Sequence, residues 1–599
     1  MATPDALRIL LSMRNFWYVR VFESVVRALA ARGHQVHILV GHDPDPTHQW
    51  TPAADALVAS SPNITMSHAR RSIDDGWLDL RLMLRLGSDY LRFLQPQYAA
   101  APILALRARS RVPDRVRALA EYDGPGHRLL RRLMRRALRA AERAIPADLA
   151  IESAVMAHKA DLVLVTPLID LGSYQHDVVR VSRRMAIPTA VCVGSWDHLS
   201  SKALIREQPD AVFVWNETQK REAVTMHGVP AERVTVTGAQ CFDQWFDRKA
   251  TLARDEFCRK VGLDGARPFV LYVCSALFEG SPNEAAFVQR WLAAVRSSSH
   301  PRLRTAGILI RPHPKRSFEW DAVDLSAFDN VALWPHRGTA PMNVDTQADY
   351  FDSLFHSAAV VGLNTSAQIE AGIAGRAVHT LLLPEFLENQ EGTLHFHYLL
   401  DGGLLRAARD LPGHVVQLEA SVEASDPVVQ QNGAFLEAFV RPHGLGVNAT
   451  ETFVNAVERL ADIETVPLRD PAWAPALRVA LGPLASRTAG TFVESLGRQR
   501  RYRDKQVESD ARTAALQVQR AEEKARIALE RRMRREAETR ERDLRVARDR
   551  QAKLAAKERV RGTKAQAKEQ RTREKHRRAL KERLAGYCRR IVRPSSASR

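Results

Sequence analysis

The sequence has 599 residues, more than the roughly 250–300 at which a single hydrophobic core stops growing, so two or more domains are expected. Its 45% hydrophobic and 26% charged residues are typical of a soluble globular protein. No apolar run approaches the ~20 residues that span a bilayer, and the apolar segment 7–11 is too short for a secretory signal. The five cysteines form no CxxC pair, which argues against a disulfide framework and predicts a cytoplasmic location.

The net charge of +19 is concentrated at the C-terminal end of the sequence. Residues 501–599 contain 33 lysines and arginines against 15 acidic residues, whereas the preceding 500 residues contain 55 against 54. We therefore expect a nearly neutral body with a strongly basic tail. Any contact with a polyanion is expected to involve the tail alone.

The first predicted elements form a strand, helix, strand unit. Residues 7–11 are an apolar run typical of a buried strand, and Val21, Val25 and Leu29 then recur at helical spacing before the next strand at 36–40. A connection of this kind implies a parallel sheet with the helix on one face.

Residues 50–150 interrupt this alternation. They contain arginine-rich stretches such as HRLLRRLMRRALRAAERA and few strand signals, so we interpret them as a helical insertion. Strands return in two successive blocks, which predict two α/β halves. The predicted strands are 162–166, 189–193, 211–215 and 234–237 in the first half, and 269–274, 306–310, 331–333, 358–363 and 377–382 in the second.

These elements predict an α/β fold of two Rossmann-like, doubly wound domains that face a cleft, followed by a long charged C-terminal α-helix. The predicted domains are 1–250 and 251–465, with helices at 466–499 that pack back on the body. Residues 500–585 have almost no Gly or Pro and many Glu–Arg pairs at i,i+4, each worth about 0.2–0.5 kcal/mol, so they predict a basic charged helix or a weak coiled coil. Residues 586–599 are expected to be disordered.

The residues that follow each strand are the candidate site, because ligands of open parallel sheets bind outside the carboxyl ends of the strands. In the first half these are Arg14, Asn15 and Tyr174, followed by Asp197 and His198 in GSWDHLSSK. Asp197 is a candidate general base for a substrate hydroxyl, or the group that orients His198 for that task. The alternative is a structural turn in which Asp197 caps the following helix.

The segment ILIRPHPKR gives the sharpest signal in the second half. An apolar strand leads directly to Arg311, His313 and Lys315, while two interleaved prolines keep the backbone extended. Three donors on a stiff segment suit a diphosphate, because charge-assisted hydrogen bonds are stronger than neutral ones. A basic loop at a strand end is the alternative. Ser275, directly after the strand 269–274, is a further candidate for donor binding.

Asn364, Thr365 and Ser366 occupy a turn between a predicted strand and a helix in GLNTSAQIE. A Ser or Thr at this position can cap the helix, and the free N–H groups at the positive end of the helix dipole attract phosphate. Glu370 follows about one helical turn later, where it could reach a ribose hydroxyl. The alternative is an ordinary N-cap with a surface glutamate, which the RPHP segment in the same half disfavours.

The second half resembles the nucleotide-binding half of GT-B-fold glycosyltransferases. It is most similar to the CDP-glycerol glycerophosphotransferase and capsule-polysaccharide transferase group, and the first half resembles the N-terminal half of the same fold. The matching segments are RPHP at 311–314, the turn at 364–366, Glu370, GRAV at 375–378, RALAARGHQVHILV at 27–40 and VPAERVTVTGAQCFDQW at 229–245. The resemblance covers about residues 7–465, and it implies an acceptor domain followed by a nucleotide-donor domain.

The function implied by this resemblance is a nucleotide-sugar-dependent glycosyltransferase of surface polysaccharide or glycoconjugate synthesis. Its acceptor would be a saccharide or polyol phosphate. Arg311, His313 and the turn at 364–366 would hold the donor diphosphate, and Glu370 would lie near the ribose. Alternatives in the same fold are a CDP-glycerol-type glycerophosphotransferase and a nucleotide-sugar epimerase. A different class is a non-catalytic scaffold that uses its basic tail to bind a partner.

We expect no metal or other cofactor. Asp43 and Asp45 form a DxD that interleaved prolines stiffen, and enzymes of the GT-B fold resemble one another in not needing such a metal site. His395 and His397 in the segment HFH have no third metal ligand in the sequence.

The tail suits a charged helix that lies near an anionic membrane surface, which would place the protein peripherally on the inner membrane face. A solvated helix without a partner is the alternative. Nucleic acid is not an expected partner, because Tyr502 and Tyr587 are the only aromatic residues of the tail.

Overall fold

Parallel strands dominate the computed structural model, which describes residues 6–41, 51–69, 75–278, 280–339, 341, 343–423 and 428–588. In the described residues of the first half, seven strands form one sheet in the order β3-β2-β1-β4-β5-β6-β7. They are β1 (Arg8–Met13), β2 (Gln35–Val40), β3 (Ile64–His68), β4 (Leu162–Thr166), β5 (Thr189–Cys192), β6 (Ala211–Val214) and β7 (Val234–Val236).

A second sheet of six parallel strands has the order β10-β9-β8-β11-β12-β13. Its strands are β8 (Phe269–Val273), β9 (Gly307–Arg311), β10 (Val331–Leu333), β11 (Ala359–Val361), β12 (Ala377–Leu381) and β13 (Leu405–Ala408). Strand order reverses between β1 and β4 in the first sheet and between β8 and β11 in the second, which is where open α/β sheets form ligand crevices. The prediction of two Rossmann-like halves is confirmed.

Helices connect these strands. The structure separates into two compact units, with the boundary between residues 509 and 510. The helices of the described residues are α1 (Trp17–Ala31), α2 (Thr51–Ala59), α3 (Leu78–Phe93), α4 (Pro102–Arg109), α5 (Asp114–Glu121), α6 (His127–Ala144), α7 (Leu149–His158), α8 (Gln175–Arg184), α9 (His198–Ser201), α10 (Glu217–His227), α11 (Asp243–Phe246), α12 (Arg254–Val261), α13 (Glu284–Arg296), α14 (Pro301–Arg304), α15 (Val344–Phe355), α16 (Ala367–Ile373), α17 (Phe396–Asp401), α18 (Leu411–Glu423), α19 (Val428–Phe439), α20 (Ala449–Ala461), α21 (Ala474–Thr488) and α22 (Thr491–Cys588).

Every strand predicted from the sequence is present, but two strands, β3 and β13, were not predicted. Both lie at an edge of their sheet, where one side has no neighbouring strand. Strand β3 corrects the interpretation of residues 50–150 as a purely helical insertion, because it pairs with β2 and extends the first sheet. Its sequence ITMSH is short and half-exposed, and it therefore lacks the continuous apolar run that marks a central parallel strand.

Helix α20 corrects the predicted domain boundary at residue 465. It lies in the second half by sequence, yet Phe453, Val454 and Val457 belong to the core of the first half. The ring centroid of Phe453 is 5.9 Å from that of Phe22 and 5.2 Å from that of Phe213. The chain therefore returns to the first sheet before it reaches residue 465.

The helices that follow are held on the helical region of the first half. Leu481 and Ala485 of α21 pack against side chains of α3, including the buried Leu80 and Leu84. Asp79 accepts hydrogen bonds from the backbone N–H groups of Phe492 (3.0 Å) and Val493 (3.2 Å), so a buried carboxylate caps the start of α22.

The long C-terminal helix is confirmed, since α22 extends to Cys588. Disorder was predicted for residues 586–599. Residues 586–588 belong to α22, and residues 589–599 lie outside the described residues. Among the helices of the described residues, none combines the length and the apolar character that crossing a membrane requires.

The assignment of α20 to the core of the first half can be tested with Phe453→Ala. Phe453 is 1% exposed, so we expect the substitution to lower the free energy of unfolding by about 3–5 kcal/mol. Val466→Ala is the control, because Val466 is 75% exposed and its loss should change stability by less than about 0.5 kcal/mol. Urea unfolding followed by tryptophan fluorescence measures both. Equal, small effects would contradict the assignment.

Candidate active site

A cavity of about 780 Å³ lies between the carboxyl ends of the two sheets. The loops after β5, β8, β9 and β11 contribute to its lining, as the parallel direction of the strands requires. The residues predicted from the sequence that line it are Asp197, His313, Lys315, Asn364, Thr365, Ser366 and Glu370.

Asp197 is held in a fixed ionised state. Its carboxylate accepts hydrogen bonds from the hydroxyls of Ser195 (2.6 Å) and Ser201 (3.3 Å), and its Oδ2 lies 3.5 Å from Nζ of Lys202. Burial alone would raise the pKa of Asp197, but Lys202, His198 and His395 outweigh it and hold the pKa below its ordinary value. Because Ser195, Ser201 and Lys202 already engage its oxygens, the structure favours an electrostatic role for Asp197.

His198 lies behind Asp197 and does not line the cavity. Its side chain is buried, with the ring centroid 6.1 Å from that of Tyr18. Burial lowers the pKa of His198 to about 4, and Asp197 opposes this shift. The prediction that His198 contacts a substrate is therefore corrected, because the first turn of α9 directs the ring into the protein.

Five cationic side chains line the cavity: Arg20 pairs with Glu370 and Arg316 with Glu319, and the other three have Asp197 as their near counter-ion. Lys202 comes from the first half, Lys315 from the second, and Arg107 from α4, where its guanidinium lies 5.1 Å from the ring centroid of Phe278. Burial lowers the pKa of Lys315, and Lys202 lowers it further, so the two ammonium groups repel each other. This arrangement favours an anionic ligand that bridges the halves.

Lys202 and Arg107 were not predicted as site residues. Lys202 is the last residue of the quoted segment GSWDHLSSK and could have been found by its position after β5. Arg107 gave no signal, because it lies in the helical insertion among many other arginines.

His313 presents a hydrogen-bond donor to the cavity. Its Nδ1 accepts a hydrogen bond from the backbone N–H of Lys315 (3.2 Å), so in the neutral ring the hydrogen is on Nε2. Burial lowers the pKa of His313 to about 4, and Lys315 and Arg316 lower it as well. The free protein therefore holds a neutral imidazole whose N–H can bind an oxyanion.

The turn after β11 is organised by side chains around it. The backbone N–H of Asn364 donates to Oγ of Ser275 (3.1 Å), and Oγ1 of Thr365 accepts from the N–H of Ala367 (3.4 Å). Ser275 is fully buried beneath the turn, so it positions Asn364 and does not reach the cavity. The predicted Ser/Thr cap is made by Thr365, while the Ser366 side chain makes no cap bond and faces the cavity.

Glu370 lines the cavity but its carboxylate has two protein partners. Oε2 accepts a hydrogen bond from the hydroxyl of Tyr350, and Oε1 lies 3.4 Å from Nη2 of Arg20. Burial raises the pKa of Glu370, and Arg20 opposes the shift. Since Arg20 lies on α1 of the first half, this ion pair joins the two halves at the cavity wall.

Arg311 lies outside the cavity, which corrects its predicted contact with a donor. It is the last residue of β9, and its guanidinium is buried 5.2 Å from the ring centroids of both Trp334 and Tyr350. Burial lowers the pKa of Arg311 to about 10. His313 lies beyond the end of β9, as the N-cap of a short 3₁₀ helix, so the alternation of side chains along the strand no longer determines its direction.

The predicted acceptor-side residues Arg14, Asn15 and Tyr174 do not line this cavity either. Arg14 forms an ion pair with Asp170, and Oδ1 of Asn15 accepts from the N–H of Trp17 (3.2 Å) at the start of α1. The hydroxyl of Tyr174 donates to the backbone carbonyl of Met13 at the end of β1 (3.5 Å), so all three residues lie after their strands as predicted but contact the protein itself.

His395 lines the cavity although the sequence suggested no role for it beyond a rejected metal site. Its ring is perpendicular to that of Trp196 with centroids 4.7 Å apart, and its Nδ1 is buried without a partner among the described residues. Burial lowers the pKa of His395 to about 4, while Asp197 opposes this. No group of three His, Cys, Asp or Glu side chains that could hold a metal occurs in the described part of the chain, and Asp43 and Asp45 lie outside it.

No protein-family profile and no curated protein sequence matches the chain. Similar solved structures include UDP-GlcNAc 2-epimerase from Methanocaldococcus jannaschii and UDP-GlcNAc 2-epimerase from Neisseria meningitidis bound to UDP-GlcNAc. Each is 12% identical over 75% of this chain and 99% of its own, with a TM-score of 0.43. WaaG, a glycosyltransferase involved in lipopolysaccharide biosynthesis, is 12% identical over 76% of this chain and 99% of its own, with a TM-score of 0.38. Two parallel sheets with a cavity between their carboxyl ends are the GT-B arrangement that the sequence resemblance implied.

The neutral state of His313 predicts that anion binding depends on pH. A bound dianion favours the protonated imidazole, so it raises the pKa of His313 above the value of about 4 in the free protein. Binding then takes up a proton, and affinity increases as the pH falls towards that value. We expect sulfate, which does not titrate in this range, to bind more tightly at about pH 5 than at about pH 8.

Isothermal titration calorimetry at constant ionic strength measures the slope of sulfate affinity against pH. His313→Gln should reduce it, with a remainder from His395, which titrates in the same range. His300→Gln is the matched control, because His300 lies outside the cavity with Nε2 3.2 Å from Glu423. An unchanged slope in His313→Gln would show that the imidazole does not face the anion.

Proposed function

We propose that the protein is a nucleotide-sugar-dependent glycosyltransferase whose donor diphosphate binds among Lys202, Lys315 and Arg107. The observation that carries this proposal is the convergence of cations from both halves on one cavity beside the Thr365–Ser366 turn. A diphosphate is the part of a nucleotide sugar that needs such a set of donors. The same groups stabilise the negative charge that develops on the departing diphosphate.

The donor contacts divide between two kinds of group. Lys202 and Lys315 supply full positive charge, whereas Nε2–H of His313 and the hydroxyl of Ser366 supply directed hydrogen bonds. Glu370 is the cavity carboxylate best placed for a ribose hydroxyl, provided that the hydroxyl replaces Arg20 as its partner. A non-catalytic scaffold would have no use for this set of donor-binding side chains, so they favour an enzyme.

His395 is our candidate for the general base that deprotonates the acceptor hydroxyl. The residue lines the cavity together with Asp197, and its imidazole is neutral near pH 7 because burial lowers its pKa to about 4. When the ring takes a proton, the ionised Asp197 stabilises the imidazolium. Asp197 thus acts through His395 as a positioning residue.

The acceptor, a saccharide or polyol phosphate, is assigned to the first half. A second cavity of about 470 Å³ shares Arg20 and Cys241 with the donor cavity, and it is lined by α1 and α2 of the first half and by the start of α15 of the second. Two adjoining cavities suit a transfer between two substrates. Surface polysaccharide or glycoconjugate synthesis is the corresponding setting. A glycerophosphoryl transfer or an epimerisation would use the same donor site, and product analysis with and without an acceptor separates the three reactions.

Nucleoside diphosphates should stabilise the native protein, because a ligand that binds only the folded state raises its melting temperature. We expect an increase with at least one of UDP, CDP and GDP in thermal-shift measurements, and a smaller one in Lys202→Met and Lys315→Met. Lys249→Met is the matched control, since Lys249 is exposed and does not line the cavity. No stabilisation by any of the three at millimolar concentration would contradict the proposal.

His395→Gln should lower kcat by roughly 10²–10⁴ and leave the affinity for the donor nearly unchanged, because it removes a base and no diphosphate contact. Lys315→Met should instead weaken donor binding. Steady-state kinetics with a donor identified by thermal shift, together with calorimetric donor affinity, separates the two effects. A His395→Gln enzyme with wild-type kcat would assign the base elsewhere.

A further inference from the structure

A second concentration of positive charge lies within the body of the protein. Residues 101–144, which include α4, α5 and α6, contain twelve arginines, no lysine and four acidic residues. Since the first 500 residues together contain 55 basic and 54 acidic groups, the remainder of the body is acidic overall. The expectation that only the tail meets polyanions overlooked this segment.

Helix α6 presents arginine and leucine in adjacent rows. Arg128, Arg132 and Arg136 are exposed at i,i+4 spacing, and Leu129 and Leu133, one residue further along, are 61% and 50% exposed. The two rows therefore share the outer face of the helix. The opposite face packs on the helices of the first half, where a satellite apolar cluster includes side chains of α3 and α6.

Within the part of the chain that the structure describes, the arginines of this face have no counter-ions. The acidic residues of the segment are engaged elsewhere: Glu142 is buried and lies 2.9 Å from Nε of Arg85, and Glu121 lies 2.6 Å from Nε of Arg109. Five arginines of α6 have neither a carboxylate within 4.0 Å nor a hydrogen-bond partner for the side chain among the described residues: Arg128, Arg132, Arg135, Arg136 and Arg139. Burial lowers the pKa of Arg135, and the neighbouring Arg139 and Arg132 lower it further.

We propose that the outer face of α6 binds an anionic membrane surface. A cationic amphipathic helix with apolar side chains beside arginines lies in the lipid interface, where leucines enter the acyl boundary and guanidinium groups bind lipid phosphates. A second copy of this chain does not fit, because two such faces repel each other. Nucleic acid does not need the exposed leucines, and Tyr122 is the exposed aromatic residue of this segment.

Helix α4 of the same arginine-rich segment reaches the donor cavity. Arg107 lines the cavity, whereas the preceding Leu106 is 54% exposed. Membrane binding would thus bring the cavity close to acceptors held at a lipid surface, a consequence that rests on the proposed function. Vesicle binding requires neither donor nor acceptor, so its failure and that of the proposed function are distinguishable.

Sedimentation of the full chain with lipid vesicles tests the proposal. The vesicles contain phosphatidylcholine alone or with phosphatidylglycerol, at low and high salt. The variants are Arg128→Gln/Arg132→Gln/Arg136→Gln, Leu129→Gln/Leu133→Gln and, as a tail control with the same loss of charge, Arg542→Gln/Arg545→Gln/Arg548→Gln. All eight side chains are exposed, so thermal melting should match the wild type.

The wild type should bind anionic vesicles and not neutral ones, more weakly at high salt. Each α6 variant should lose at least about tenfold in partition coefficient, while the tail control keeps most of its binding. The proposal is overturned if the α6 variants partition like the wild type, or if the tail control loses as much as they do. It is also overturned if soluble polyglutamate or RNA binds the protein with no effect of the leucine substitutions and anionic vesicles do not bind.

Discussion

The common direction of the strands is the constraint on which the site depends. Because every strand pairing in both sheets is parallel, all carboxyl ends of a sheet lie at one edge, and so do the loops that follow them. Groups as distant in sequence as Asp197, His313 and Ser366 therefore line a single cavity. The apolar strands contribute no chemistry themselves; they bury the sheets and leave the polar residues at the ends.

The two halves are also joined by buried polar contacts beside this cavity. Glu370 contacts Arg20 of α1, and Glu222 of α10 accepts a hydrogen bond from the hydroxyl of Tyr398. Taking these carboxylates out of water is unfavourable by itself, so such contacts define the orientation of the halves more than they stabilise the fold. A ligand that competes for Arg20 or Glu370 would consequently change the contact between the halves as it binds.

The sequence predicted the central strands and the segment RPHPK because both depend on local pattern. It failed where the outcome depends on tertiary packing. The edge strands β3 and β13 have one unpaired side and thus no continuous apolar run. Arg311 was expected to bind a ligand, but it is still part of β9 and stacks beneath the site. His395 and Arg107 reach the cavity from helical regions whose position no spacing in the sequence indicates.

The cavity carries an excess of positive charge, because more cationic than anionic side chains line it. Lys202, Lys315 and Arg107 converge on it, and Asp197 is their near counter-ion, so the cations repel one another in the free protein. An anion of two or more charges removes the repulsion and gains hydrogen bonds to groups that are already in place. The arrangement of the cations is thus fixed by the fold before a ligand binds, and it favours a ligand with more than one negative charge.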